Sequence, residues 1–344
     1  MDYEIAGIIV VVLIILAIGL AFSIGANDET TAPLAAAGTI KFKLVLIFGG
    51  FAIGVGTIFL SKGVASMVGE GLLGPGVKYS IWMLLSVLIS AIIWLVLGSF
   101  AGIPLSSTHS LIGSIFGVVL VYAIGIGGID PTTAFNNEKL ASVVLSWLLS
   151  PLFGLLVTYG LFKLIQRVYL TRLKGLNQIE KSERNFSWIL LIAVFFAEVW
   201  VGANSAEALG ILYAMYDNGS LTIEGYYLFV VVCGVTAFFG LYIAGRFVIK
   251  NLASQLTEAR PSDGFIIQLS SAIILMVCTV FYSVPISHSH VIVFCIIGMN
   301  IAQRKEVDYR GLGKMAVFWL LTFPIAAIIA GTIYFGFVST LGVF

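Results

Sequence analysis

Two short motifs, each written twice, hold most of the residues that could do chemistry in this chain. Gly25-Ala26-Asn27-Asp28 is echoed by Gly202-Ala203-Asn204-Ser205. Ile103-Pro104-Leu105-Ser106-Ser107-Thr108-His109 is echoed by Val284-Pro285-Ile286-Ser287-His288-Ser289-His290. The offsets, 25 to 202 and 104 to 285, are 177 and 181 residues. One matched triplet would be chance, but two ordered pairs at nearly equal offset point to a duplicated chain. Asn27, Asp28, Asn204, Ser205 and, just beyond, Glu207 offer the oxygen ligands a hard cation such as sodium takes, by analogy with calcium and magnesium. In the second pair, Ser106, Ser107, Thr108 and His109, and Ser287, His288, Ser289 and His290, follow a proline that starts a new helical piece. Their side chains can cap its N-terminus. A free helix N-terminus offers N–H groups and a positive dipole end to an anion. Two such ends, one from each copy, would form an anion clamp.

These polar motifs are embedded in a chain that cannot hide them in water. Of its 344 residues 60% are hydrophobic and 10% charged, and mean hydropathy is +1.08. Soluble domains carry about 25% charged residues, so most of the outer surface must face lipid. A spanning helix needs about 20 mostly apolar residues, and such runs recur from end to end. They fall near 5–24, 44–60, 80–99, 105–124, 140–163, 187–216, 226–245, 265–283, 286–302 and 315–338. The start, Met1-Asp2-Tyr3-Glu4, is acidic where a signal peptide is basic, so the first run is read as a span. A net charge of +1 excludes a nucleic-acid partner. Cys233, Cys278 and Cys295 lie in apolar runs and read as small core hydrophobes.

With the N-terminus outside, segments 41–43, 163–184, 246–260 and 303–314 face inward and hold 15 of the 18 Lys and Arg. Lys and Arg concentrate in cytoplasmic loops, so the assignment is consistent with itself. The expected architecture is an all-α integral membrane protein of about 10–12 transmembrane segments, some broken or re-entrant, in two inverted-topology repeats. The repeats span 1–163 and 187–344, joined by a basic cytoplasmic linker, 164–186. Pro261-Ser262-Asp263-Gly264 reads as turn chemistry at the end of an inside loop.

Four acids fall inside spans: Asp28, Glu29, Glu198 and Glu207. A mid-bilayer charge costs at least about 2.5–3.5 kcal/mol and marks function by default. On a regular helix Glu29 points away from Asp28, and Glu198, ahead of its motif, is equally a buried protonated carboxyl. No Lys or Arg remains inside the spans, so an entering anion meets carboxylates without fixed cations. It needs cations with it, which suggests symport. The three histidines lack close carboxylate spacing, so structural or anion-donor roles come before metal binding. A lone Ser in a membrane helix is ordinary interhelical glue; the duplication is what favours a site. Nothing forms a nucleophile, base and orienter set, so an enzyme is not expected.

Residues 25–32, Gly-Ala-Asn-Asp-Glu-Thr-Thr-Ala, resemble the GANDVANA-like motif of the inorganic phosphate transporter (PiT) family. Pro104–His109 and Pro285–His290 resemble that family's Pro-x-Ser-Thr-Thr-His motif, and 245–265 resembles its second-half loop. The resemblance implies a multi-pass protein of the cell membrane that imports inorganic phosphate with sodium, or protons, as the coupling ion and no other cofactor. Its partners would be phosphate, sodium and the lipid bilayer, and a homo-oligomer is compatible with it. A proton-coupled phosphate or sulfate carrier is the runner-up, ahead of an anion channel. Two departures stand out. Ser205 replaces the usual Asp, with Glu207 two positions on, and His288 replaces a Thr.

Overall fold

The computed structural model describes residues 3–100, 105–125, 127–255, 260–307 and 309–342. Pro104 of the first hairpin motif lies outside them. The first half runs α1 (Tyr3–Ala26), α2 (Ala32–Ala36), α3 (Phe42–Leu60), α4 (Lys62–Ser66), α5 (Ile81–Phe100), α6 (Ser107–Gly125) and α7 (Asn137–Val168). The second runs α8 (Leu176–Ala203), α9 (Ala206–Asp217), α10 (Ile223–Gly240), α11 (Arg246–Gln255), α12 (Pro261–Leu275), α13 (His288–Gln303) and α14 (Tyr309–Leu341). Wider π-helical turns extend α4, α10 and α12 over Met67–Gly71, Leu241–Gly245 and Met276–Phe281. Among the described residues the only β pairing is one bridge, Leu73 to Phe135.

Among the described residues, eight helical stretches are long and apolar enough to cross a membrane, and two shorter apolar helices lie at 81–95 and 288–303. This is an all-α, multi-pass membrane protein. Its outer surface bears that out: Phe59, Leu148 and Leu320 are 74%, 68% and 77% exposed, which water would penalise and lipid does not. Polar side chains instead turn inward, and Asp28, Glu198, Gln268, Ser90 and Thr322 have no exposed surface.

The packing is reciprocal between the halves. α1 lies against α10 and α8 against α3; α6 lies against α14 and α13 against α7. Small residues allow the close crossings. A Cβ on Gly25 of α1 would stand 2.0 Å from the Ala237 carbonyl oxygen, and one on Gly240 of α10 would stand 2.0 Å from that of Phe22. The partner crossing repeats this: Gly56 meets the Val199 oxygen at 1.9 Å and Gly202 meets that of Ile53 at 2.1 Å. The first residue of each Gly-Ala-Asn motif is thus a contact between backbones.

Three expectations change in detail. The run 187–216 is two helices, α8 and α9, broken at Asn204-Ser205. The linker 164–186 is largely helical, because α7 continues to Val168 and α8 begins at Leu176. Pro261-Ser262-Asp263-Gly264 starts α12 instead of turning, since Pro at the first helical position and Asp two residues later also suit a helix start. Asp263 Oδ2 accepts from the Arg260 N–H at 3.3 Å. Glu183 of α8 clasps the same end, accepting from Ser262 N–H at 3.0 Å and its hydroxyl at 2.8 Å.

Candidate functional site

The chain between α1 and α2 is not helical. Asp28 stabilises it as a local turn, its Oδ1 accepting from the Thr30 N–H at 3.0 Å, and Gln268 of α12 donates to the Thr30 carbonyl. Freed from helical geometry, Asp28 and Glu29 project to one place, contrary to the expectation that they diverge. Asp28, Glu29 and His288 each bring a ligand atom within 4.8 Å of the other two. Glu198 of α8 faces Asp28 and Glu29, and Glu29 also faces Ser289. Gly49 of α3 leaves room here, since a Cβ would come 2.6 Å from Thr31 Cγ2 and 3.5 Å from Glu198 Oε1.

The cluster is buried and most of its carboxylate oxygens are uncommitted. Asp28, Glu29 and Glu198 are 0%, 5% and 0% exposed. Among the described residues, Asp28 Oδ2, Glu29 Oε1, both Glu198 oxygens and Gln268 Oε1 have no hydrogen-bond partner. Buried carboxylates are costly unless paired, protonated or bound to a metal. The groups acting on the two glutamates are the other acids, His288 and Ser289, with no Lys or Arg among them.

Beside the cluster lies a narrow cleft, lined by Ser23, Asn27, Leu105, Ser107, His288 and Ser289, among others. Both hairpin motifs open onto it. Ser287 caps α13, its hydroxyl oxygen accepting from the His290 N–H at 3.4 Å. Ser106 does the same for α6, accepting from the His109 N–H at 3.2 Å. The first turns of α6 and α13 therefore face one space from opposite halves.

The other expected site residues have different positions. The Thr108 hydroxyl donates to the Ile286 carbonyl at 3.3 Å. Asn204 holds the same residue from both sides, Nδ2 to the carbonyl at 2.7 Å and the Ile286 N–H to Oδ1 at 3.1 Å. Ser205 donates back into α8, to the Val201 carbonyl at 3.4 Å. These hydrogen bonds put Asn204 in the support of the second Pro-Ile-Ser motif and turn Ser205 back onto its own helix; none leads to the carboxylate cluster. Glu207 stands in the first turn of α9, its side chain outside the described residues. His109 and His290 form a ring column with two tryptophans: Trp147 to His109 at 3.9 Å, His109 to His290 at 4.8 Å, His290 to Trp319 at 4.0 Å. That column packs the hairpins together behind the cleft. Only His288 of the three histidines reaches the acids.

From the sequence Glu198 is underweighted and Gln268 passes unnoticed. Glu198 did carry a signal, its charge at membrane depth. Gln268 carried none, because its partner, Thr30, lies far off in sequence.

A bundle of membrane-spanning helices, broken at its centre around buried acids and paired hairpin starts, defines the class of membrane transporters. Residues 32–330 match the phosphate transporter family, and the chain belongs to it. A Pyrococcus furiosus protein with the provisional name phosphate permease is 25% identical, over 97% of each chain. A Bacillus subtilis protein provisionally named a low-affinity inorganic phosphate transporter is 25% identical over 95% of this chain and 97% of its own. A solved structure described as a sodium-dependent phosphate transporter matches with a TM-score of 0.84 at 22% identity, covering 96% of this chain and 99% of the other.

Proposed function

We infer that this phosphate transporter couples phosphate entry to sodium at the site between its halves. The observation that carries the reading is the cluster of Asp28, Glu29 and Glu198, buried with uncommitted oxygens beside the cleft. Three carboxylates next to an anion site repel the anion unless cations neutralise them. The solved structure of the same fold bears sodium dependence in its name. Phosphate sits in the cleft, met by the N–H groups opening α6 and α13 and by Ser107, Ser289 and Asn27. The reciprocal packing of the halves fits two inverted-topology repeats, 1–163 and 187–344, that rock around a fixed central site to give alternating access. The N-terminus faces outward and the 164–186 linker lies in the cytoplasm, as the Lys and Arg distribution supports.

Radiolabelled phosphate uptake into proteoliposomes, with sodium and proton gradients imposed separately, tests this. Saturable uptake that follows the sodium gradient is expected. Uptake driven equally by a proton gradient without sodium moves the proton-coupled reading ahead.

A further inference from the structure

The geometry points to a transition-metal site within the carboxylate cluster: Asp28, Glu29 and His288 bind a divalent ion of the zinc type in competition with the coupling ion. This rests on the cluster being a cation site and concerns what else that site accepts.

Sodium takes oxygen ligands, as other hard cations do. An imidazole nitrogen adds little for it but is a favoured ligand for zinc and its neighbours, and histidine with carboxylates is a common zinc set. At this position the resemblance has threonine, an oxygen ligand; here it is His288, whose ligand atom lies within 4.8 Å of one from each acid. Ligand atoms on one tetrahedral zinc stand roughly 3.4 Å apart, so closing on an ion draws the set in by about 1 Å, within reach of side-chain torsions. Two carboxylates cancel the charge of one divalent ion. A coordinating set must also be free to coordinate. Asp28 and Glu29 are at least nine-tenths buried with Oδ2 and Oε1 unpartnered, and His288 Nε2 has no partner either. There is also a way in, because His288 lines the cleft.

The test is calorimetric titration of Zn2+ into the purified full chain, parent, His288→Thr and Glu29→Gln, in sodium-free buffer. One ion per chain is expected, with affinity at least tenfold weaker in each variant. Equal affinity in all three, with the variants folded, overturns the site. Should either variant fail to fold, zinc-edge X-ray absorption on the parent decides: an imidazole nitrogen among oxygen ligands supports the site, and an all-oxygen shell overturns it. Repeating the parent titration in excess sodium separates the two readings. Zinc binding weakened by sodium supports both. Zinc binding lost in the variants but indifferent to sodium keeps the zinc site and overturns the sodium assignment of this cluster.

Discussion

At the scale of single residues, the proposed site divides its labour between groups placed to meet ions and groups that hold backbone. Asp28 and Glu198 belong to the first kind. Asp28→Asn or Glu198→Gln should cut sodium activation of phosphate uptake at least tenfold while the protein still folds, since each removes a carboxylate kept at membrane depth against its desolvation cost. Unchanged sodium activation in both folded variants would remove these acids from the coupling site. Asn204 belongs to the second kind. Asn204→Ala leaves the Ile286 N–H without its side-chain partner and its carbonyl with Thr108 alone, and should cost about 1–3 kcal/mol, read as a lower thermal midpoint in detergent. Discrimination among anions is also a matter of single groups. Phosphate and arsenate near neutral pH carry an O–H whose hydrogen bond Glu29, beside Ser289 of the cleft lining, can accept; sulfate carries none. A buried site built around that hydrogen bond rejects the analogue lacking it. Excess arsenate should therefore suppress labelled phosphate uptake, and excess sulfate should leave it nearly intact. Equal competition by the two would argue against a carboxylate acceptor.

At the scale of elements, the helix crossings depend on glycine. Gly202→Ala places a Cβ 2.1 Å from the Ile53 carbonyl oxygen, so α8 and α3 must part. Overpacking of this kind costs about 1–3 kcal/mol. Gly160→Ala, in α7, meets nothing within 4 Å and should leave stability unchanged or slightly raised, alanine being the better helix former. Thermal unfolding of the pair side by side checks the contrast. The elements were largely legible in the sequence, because membrane depth demands long apolar runs and the duplicated motifs mark where those runs break. What stayed illegible were the non-helical course at 27–31, which brings Glu29 beside Asp28, and the helical linker, where Glu183 caps α12 from 79 residues away. Both depend on tertiary partners that local pattern does not contain. The residues proposed to meet cation and anion were legible as a set, but which of their neighbours hold backbone was not. Asn204, Ser205, Thr108, His109 and His290 share the motifs with Asp28, Ser107 and Ser289, and only packing sorts the supports from the cleft.

At the scale of the whole molecule, very little charge holds the fold together. Among the described residues the one ion pair is Lys78 with Asp217, at 3.5 Å and largely exposed on the lysine side, a contact worth little. Close helix packing supplies the stability, which leaves the buried acids free for ions. If those acids hold sodium beside phosphate, the two ligands must help each other bind, and by the same factor in both directions. The decisive measurement is equilibrium binding by the purified protein: phosphate affinity with and without saturating sodium, and sodium affinity with and without saturating phosphate. A tenfold gain in one, matched by a tenfold gain in the other and abolished in Asp28→Asn, is the predicted result. Phosphate affinity indifferent to sodium in the folded parent would contradict coupling at this site.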